Sequence, residues 1–203
     1  MPVLLSKFRK HYPKIQFVLN QNNSALLTTQ LIDGNVDLCL SSTLMTRENL
    51  GWISLCSEEL FVVVPEAHPL ALRKSFHLKE IAHESFITFK LMYGLRLLAD
   101  QFFETASIRP KITFEGDEIM TVAALVDANL GVALIPHIPG LEHLHIAFIP
   151  ISSPTCARPL CIAWNKTKYL SPAAKKFQQF VVDSFNNQDD LPLAPYYKGL
   201  QSE

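Results

Sequence analysis

The chain has 203 residues, 48% of them apolar and 18% charged, with a formal net charge of −1. This composition excludes a disordered chain and fits one large domain or two small lobes with substantial cores. Near-neutral charge leaves no basic footprint for nucleic acid, no apolar run is as long as a membrane span, and none reads as an export signal.

In chain order, residues 2–12 predict a helix with Leu4 or Leu5, Phe8 and Tyr12 on one face, stopped by Pro13. Lys7, Arg9, Lys10, His11 and Lys14 read as its solvated face. Ile15–Leu19 predicts a strand. Asn23 or Ser24 then caps a helix that runs through Asp33 and stops at Gly34. Val36–Leu40 predicts a strand that ends in Ser41-Ser42-Thr43, and Ile53–Leu55 a short one.

Glu58-Glu59-Leu60-Phe61-Val62-Val63-Val64-Pro65 is the most informative stretch. Its β-branched centre reads as a buried strand. Pro65 and Pro69 end its pairing, because proline has no backbone donor. A buried strand that leaves its sheet stiffly suits a connection between two lobes.

The middle of the chain alternates again. Leu78–Ala82 predicts a helical turn, Phe86–Phe89 a strand, Gly94–Ala106 a helix and Lys111–Phe114 a strand. Glu118–Ala128 predicts a helix apolar around most of its circumference, ended by Asn129 or Gly131. Val132–Pro136, His145–Ile149 and Leu160–Trp164 predict strands. Ser171-Pro172 opens a last helix with Phe177, Phe180, Val181 and Phe185 as its buried stripe. Residues 187–203 read as a loose tail. The alternation implies an α/β fold. Cys39, Cys56, Cys156 and Cys161 form no Cys-x-x-Cys pair and read as buried reduced thiols, which suits a cytoplasmic protein.

Asn23-Ser24-Ala25, Gly34-Asn35-Val36-Asp37-Leu38-Cys39-Leu40, the Glu58–Pro65 stretch and His68-Pro69-Leu70 resemble the ligand-binding domain of LysR-type transcriptional regulators. So do Ala128-Asn129-Leu130-Gly131-Val132-Ala133-Leu134-Ile135-Pro136, Arg158-Pro159-Leu160 and Leu170-Ser171-Pro172-Ala173, in the family's order over roughly residues 2–185. The resemblance implies a fold similar to type II periplasmic binding proteins, with two lobes of mainly parallel sheet joined by two crossover strands. Residues 1–62 and 157–186 would form the first lobe, and residues 63–156 the second. A small effector would bind between them, and its binding would control transcription through a separate DNA-binding domain. The family's winged helix-turn-helix, and the strand that precedes the helix at 2–12, have no counterpart in the sequence. Reduced stability or a compensating pairing is therefore expected. The family also implies a homodimer, a tetramer for a full-length protein, with helix 2–12 at the dimer surface and Leu5 or Phe8 as anchors. No nucleic-acid contact by this chain itself, no membrane contact, no cofactor, no metal and no enzymatic activity are expected.

For the effector site, helix N-termini offer free N–H groups and a positive dipole end. Three fall in the implied cleft: Asn23-Ser24, Lys90 to Gly94 with Tyr93, and Gly116-Asp117. Ser41, Ser42 and Thr43 would add hydroxyls, and Pro136 and His137 would lie at a strand end. Plain capping also accounts for Ser24 and Asp117, an ordinary polar loop for Ser41–Thr43, and a solvated lysine for Lys90. A small organic acid is the first reading of the effector, and an amphipathic or aromatic metabolite the second. His143 and His145 share a strand face without further metal ligands. A transport receptor of the same fold, and an enzyme built on Asp117, Glu118, Lys90 and His137, are the competing functions.

Overall fold

The computed structural model of the chain describes residues 1–42, 47–187 and 197–198. Thr43 and most of the predicted tail lie outside the described residues. The elements in order are α1 (Pro2–His11), α2 (Ser24–Asp33), β1 (Cys39–Ser41), β2 (Leu50–Pro65), β3 (Phe76–His77), β4 (Ser85–Phe89) and α3 (Gly94–Thr105). Then follow β5 (Lys111–Gly116), α4 (Ile119–Asp127), β6 (Val132–Pro136), β7 (Ile146–Ile149), β8 (Ile151–Ser153), β9 (Ala157–Asn165), α5 (Pro172–Asn186) and β10 (Tyr197–Lys198). They divide into two compact units, Met1–Ser57 with Pro159–Glu203, and Glu58–Arg158. Strands β2 and β9 each carry the chain across that division. The fold is α/β.

In the first unit, Pro2 opens α1 with its φ already helical, and Arg9, Lys10 and His11 sit in the last turn, where positive charge suits the dipole. Phe8 is fully buried and meets Phe177 and Phe180 of α5 edge-on, at ring centroids 5.1 and 5.3 Å apart. Leu55, Ile162 and Val181 complete that core. Phe8 is therefore no dimer anchor. Leu5 is half-buried against the same core, and the exposed apolar residues of this helix end are Met1 and Val3. Ser171 caps α5, its Oγ accepting from the Ala174 N–H at 3.1 Å.

The strand expected at Ile15–Leu19 does not form. Ile15 and Phe17 face the core while Gln16 and Val18 face out, so the alternation of a strand is present. No ladder is assigned to the segment among the described residues, and its last two apolar residues stay out: Val18 is 88% and Leu19 68% exposed. β1 is shorter and later than the expected Val36–Leu40. It pairs antiparallel with β9, Cys39 opposite Ala163 and Ser41 opposite Cys161. Buried Asn165 on β9 donates from Nδ2 to the carbonyls of Leu31 and Ile32, answering the C-terminal end of α2.

In the second unit, Leu60–Val63 of β2 pairs antiparallel with β6, and Val62–Pro65 with β7. The pieces expected at Ile53–Leu55 and Leu60–Val64 are one strand of 16 residues. The glutamates do not interrupt it, because Glu58 is paired with Arg158. β4 lies between β5 and β6, parallel to both. Gly131 enters β6 at φ +153°, where a Cβ would stand 2.3 Å from the Ser85 carbonyl oxygen, so only glycine fits. α4 buries Val122, Ala123 and Val126 but exposes Met120, Thr121 and Ala124. It is one-sided, not the mostly enclosed helix that its composition suggested, because only one face packs on β4–β6.

Phe8→Ala should lower the unfolding free energy by about 3–5 kcal/mol, since it opens a cavity among aromatic rings. Val18→Ser should change it by less than about 0.5 kcal/mol. Urea titration followed by circular dichroism measures both.

Candidate functional site

In the second unit, parallel strands bring their carboxyl ends to one edge. β4 ends at Phe89, paired with Gly116, the end of β5. β6, parallel to β4 on its other side, ends at Pro136. Lys90, Asp117 and His137 therefore leave the same edge of one sheet, the place where open α/β sheets hold ligands.

There the structure joins three of the expected residues. Lys90 Nζ donates to Asp117 Oδ2 at 2.7 Å, and the Tyr93 hydroxyl hydrogen-bonds the same carboxylate. The Lys90 N–H donates to the Gly116 carbonyl at 3.0 Å, which ties the two strand ends together. The hydrogen bond from Lys90 holds the Asp117 carboxyl below its ordinary range, with a smaller lowering from Tyr93. The same bond pushes Lys90 up. Burial, then the bond to Asp117, pushes the Tyr93 phenol up. Lysine and aspartate side chains are 54% and 47% exposed, so the pair is open to a solute.

Asp117 is not a helix cap. The N-cap of α4 is Glu118, with no side-chain cap bond, and Tyr93 caps α3 in the same bare manner. In the turn between Lys90 and Tyr93, Met92 takes φ +77°, a left-handed conformation that a branched or long residue adopts at a cost of about 1 kcal/mol or more. Leu91 and Met92 are exposed, so an apolar rim borders the polar trio. Pro136 is buried opposite Leu60, and the His137 ring lies 4.6 Å from that of Phe148.

Arg96 is a positioning residue that sequence reasoning missed. Its Nη1 donates to the Phe89 carbonyl at 2.9 Å and to the Glu115 carboxylate, while Nε binds Asp100 at 2.9 Å. One guanidinium thus fixes the ends of β4 and β5 behind the trio. The only sequence signal was the Arg96–Asp100 spacing of four on a helix.

In the first unit, Asn23 is the cap of α2, its Oδ1 accepting from the Leu26 N–H at 2.9 Å. Ser24 is the first helical residue, half-buried, and its carbonyl accepts from Thr28 Oγ1 at 2.7 Å. Ser41 is buried at the end of β1, with its carbonyl accepting from Cys161 Sγ, and half-buried Ser42 follows. These residues offer hydroxyls and amides, but no charge.

Little here suits covalent chemistry. Burial, and then Cys161, raises the Cys39 thiol to about 11, and burial raises Cys156 to about 12. Both are thiols at neutral pH, the unreactive form. Among the described residues no cluster of three His, Cys, Asp or Glu could hold a metal, and no helix is long and apolar enough to cross a membrane.

The Asp117 carboxylate should titrate below the ordinary value of about 3.9, and Lys90→Met should move its midpoint up. The depressed group stabilises the fold above its unfolded pKa, and that contribution is lost as pH falls through the folded one. Both side chains are open to solvent, so the unfolding midpoint should hardly follow. Carbon-detected NMR across pH 2–6 reads the carboxylate directly.

The family model described as the LysR substrate binding domain matches residues 1–186. The HTH-type transcriptional regulator YybE of Bacillus subtilis (strain 168) is 45% identical over 186 residues, covering 92% of this chain and 64% of that protein. The transcriptional dual regulator GltC of the same organism is 29% identical, covering 92% and 63%. The chain thus spans under two thirds of the length of these curated relatives. The solved effector-binding domain of QuiR, in complex with shikimate, superposes at TM-score 0.86 with 31% identity, over 92% of this chain and 90% of that one. The regulatory domain of Synechocystis PCC6803 CcmR, in complex with 2-PG, shares the fold at TM-score 0.85 with 19% identity, over 92% and 91%. The match runs from α1 to the end of α5 and places this chain in the LysR substrate-binding domain family.

Proposed function

We propose that the chain is the effector-sensing part of a LysR-type transcriptional regulator and that its effector is a small hydroxylated organic acid. The observation that carries this reading is the Lys90–Asp117–Tyr93 trio at the carboxyl edge of β4 and β5. Asp117 already answers the charge of Lys90, so a bare anion has no unopposed cation to meet. A hydroxy acid resolves this. Its carboxylate is taken by Lys90 and by the first-turn N–H groups of α3, while its hydroxyls donate to Asp117. The exposed Leu91 and Met92 then shelter its carbon frame. Asn23, Ser24, Ser41, Ser42, Thr43, Pro136 and His137 are the remaining proposed contacts. QuiR's effector-binding domain, seen with shikimate, is a relative whose ligand has this chemistry.

Relatives of this chain are transcriptional regulators, and DNA recognition is assigned to the part of such a protein that this chain does not span. The protein is proposed to be cytoplasmic, in keeping with four free buried cysteines, and to pair as a homodimer (a tetramer at full length) with α1 at the interface through Val3 rather than Phe8.

A thermal-shift screen with shikimate, quinate, benzoate and inorganic phosphate tests the effector class. The two hydroxy acids should raise the unfolding temperature, and benzoate and phosphate should not. Lys90→Met and Ser42→Ala should each weaken shikimate binding at least tenfold by calorimetry, about 1.4 kcal/mol. Equal affinity in wild type and both variants would remove the site from these residues. Asp117→Asn should weaken the hydroxy acids and leave any benzoate affinity alone.

A further inference from the structure

The two strands that cross between the units carry a charged pair where the sheet does not require one. Glu58 is the first residue of the second unit and Arg158 its last. Glu58 is 1% exposed, and Arg158, itself largely buried, donates from Nε to its Oε2. Two residues further along β2, the Leu60 N–H donates to the Cys156 carbonyl at 2.9 Å. One strand advances from 58 to 60 as the other retreats from 158 to 156, so the strands run antiparallel with Glu58 facing Arg158 across them. The second carboxylate oxygen, Oε1, is buried and has no hydrogen-bond partner among the described residues.

Such a pair does not earn its place through stability. Desolvating two charges and leaving one oxygen unanswered offsets the attraction, and apolar residues of similar volume commonly fill such a place with equal or greater stability. What the pair does supply is register and direction. A guanidinium is planar and donates along fixed directions, so it tolerates little sliding or twisting of the carboxylate opposite. Val62, Val63 and Val64, further along β2, are apolar and impose no such direction.

We propose that Glu58 and Arg158 form a hinge clamp, a positioning pair that fixes the two connecting strands to each other and limits the motion of one unit against the other. The assignment stands on the ligand-free chain and does not depend on what the chain binds.

The test uses Glu58→Leu with Arg158→Met, a double variant that removes both charges at once. Spin labels at Lys175→Cys on α5 and Glu104→Cys on α3 report from exposed positions, one in each unit, and the four native cysteines are buried. Pulsed electron–electron resonance should show a label distance distribution at least twice as wide in the double variant. Its urea unfolding midpoint should be unchanged or higher. An unchanged width would overturn the clamp. So would loss of the cooperative unfolding transition, because the pair would then be holding the fold rather than its geometry.

Discussion

A strand buried on both sides must have every backbone N–H and C=O answered, and β2 is where this constraint governs the molecule. Over Leu60–Pro65 it is answered by β6 and β7, and its side chains from Leu60 to Val64 are all buried. Continuity of that pairing lets one strand carry the chain from the first unit into the second. It also dictates what the strand can contain. A carboxylate at Glu58 is tolerable only because Arg158 meets it from the other crossover. Ile15–Leu19 shows the converse: Ile15 and Phe17 lie against the α1–α5 core and the residues between them face out, yet no ladder is assigned there. Side-chain pattern and backbone pairing are separable, and only the second makes a strand.

The parallel order of β5, β4 and β6 is what gathers the second unit's polar residues. Parallel strands share a carboxyl edge, so residues as distant in sequence as Lys90, Asp117 and His137 leave the sheet at one place. Arg96 and the Lys90–Gly116 backbone bond then hold two of these ends in fixed relation. The resulting chemistry is nearly neutral: a cation, an anion and a phenol already in contact. Buried thiols with raised pKa values leave the cysteines out of that chemistry.

Much of this was legible in the residues. Ser171-Pro172 at the start of α5, Gly34 at the end of α2, and Val132–Pro136 as a strand all depend on local rules, and the structure has each of them. The α/β class followed from alternation, and the family from motifs in order. What failed was non-local. β2 read as two pieces because two glutamates stood between them, and the partner that neutralises Glu58 is 100 residues away. Asp117 read either as an effector contact or as a plain cap, because aspartate before a helix usually is one. In the structure Lys90, 27 residues earlier, claims it instead. α4 read as enclosed because its composition is apolar all round, yet composition does not say how many faces have neighbours.

The chain holds two kinds of charged pair. Lys90 and Asp117 are about half exposed, so their attraction is screened and contributes little to the fold, and a solute can reach both. Glu58 and Arg158 are enclosed, so no solute reaches them, and each constrains the other alone. One pair is suited to exchanging partners and the other to keeping them. The open pair lies where parallel strands end. The closed pair lies where the chain passes from one unit to the other, on the two strands that make the passage.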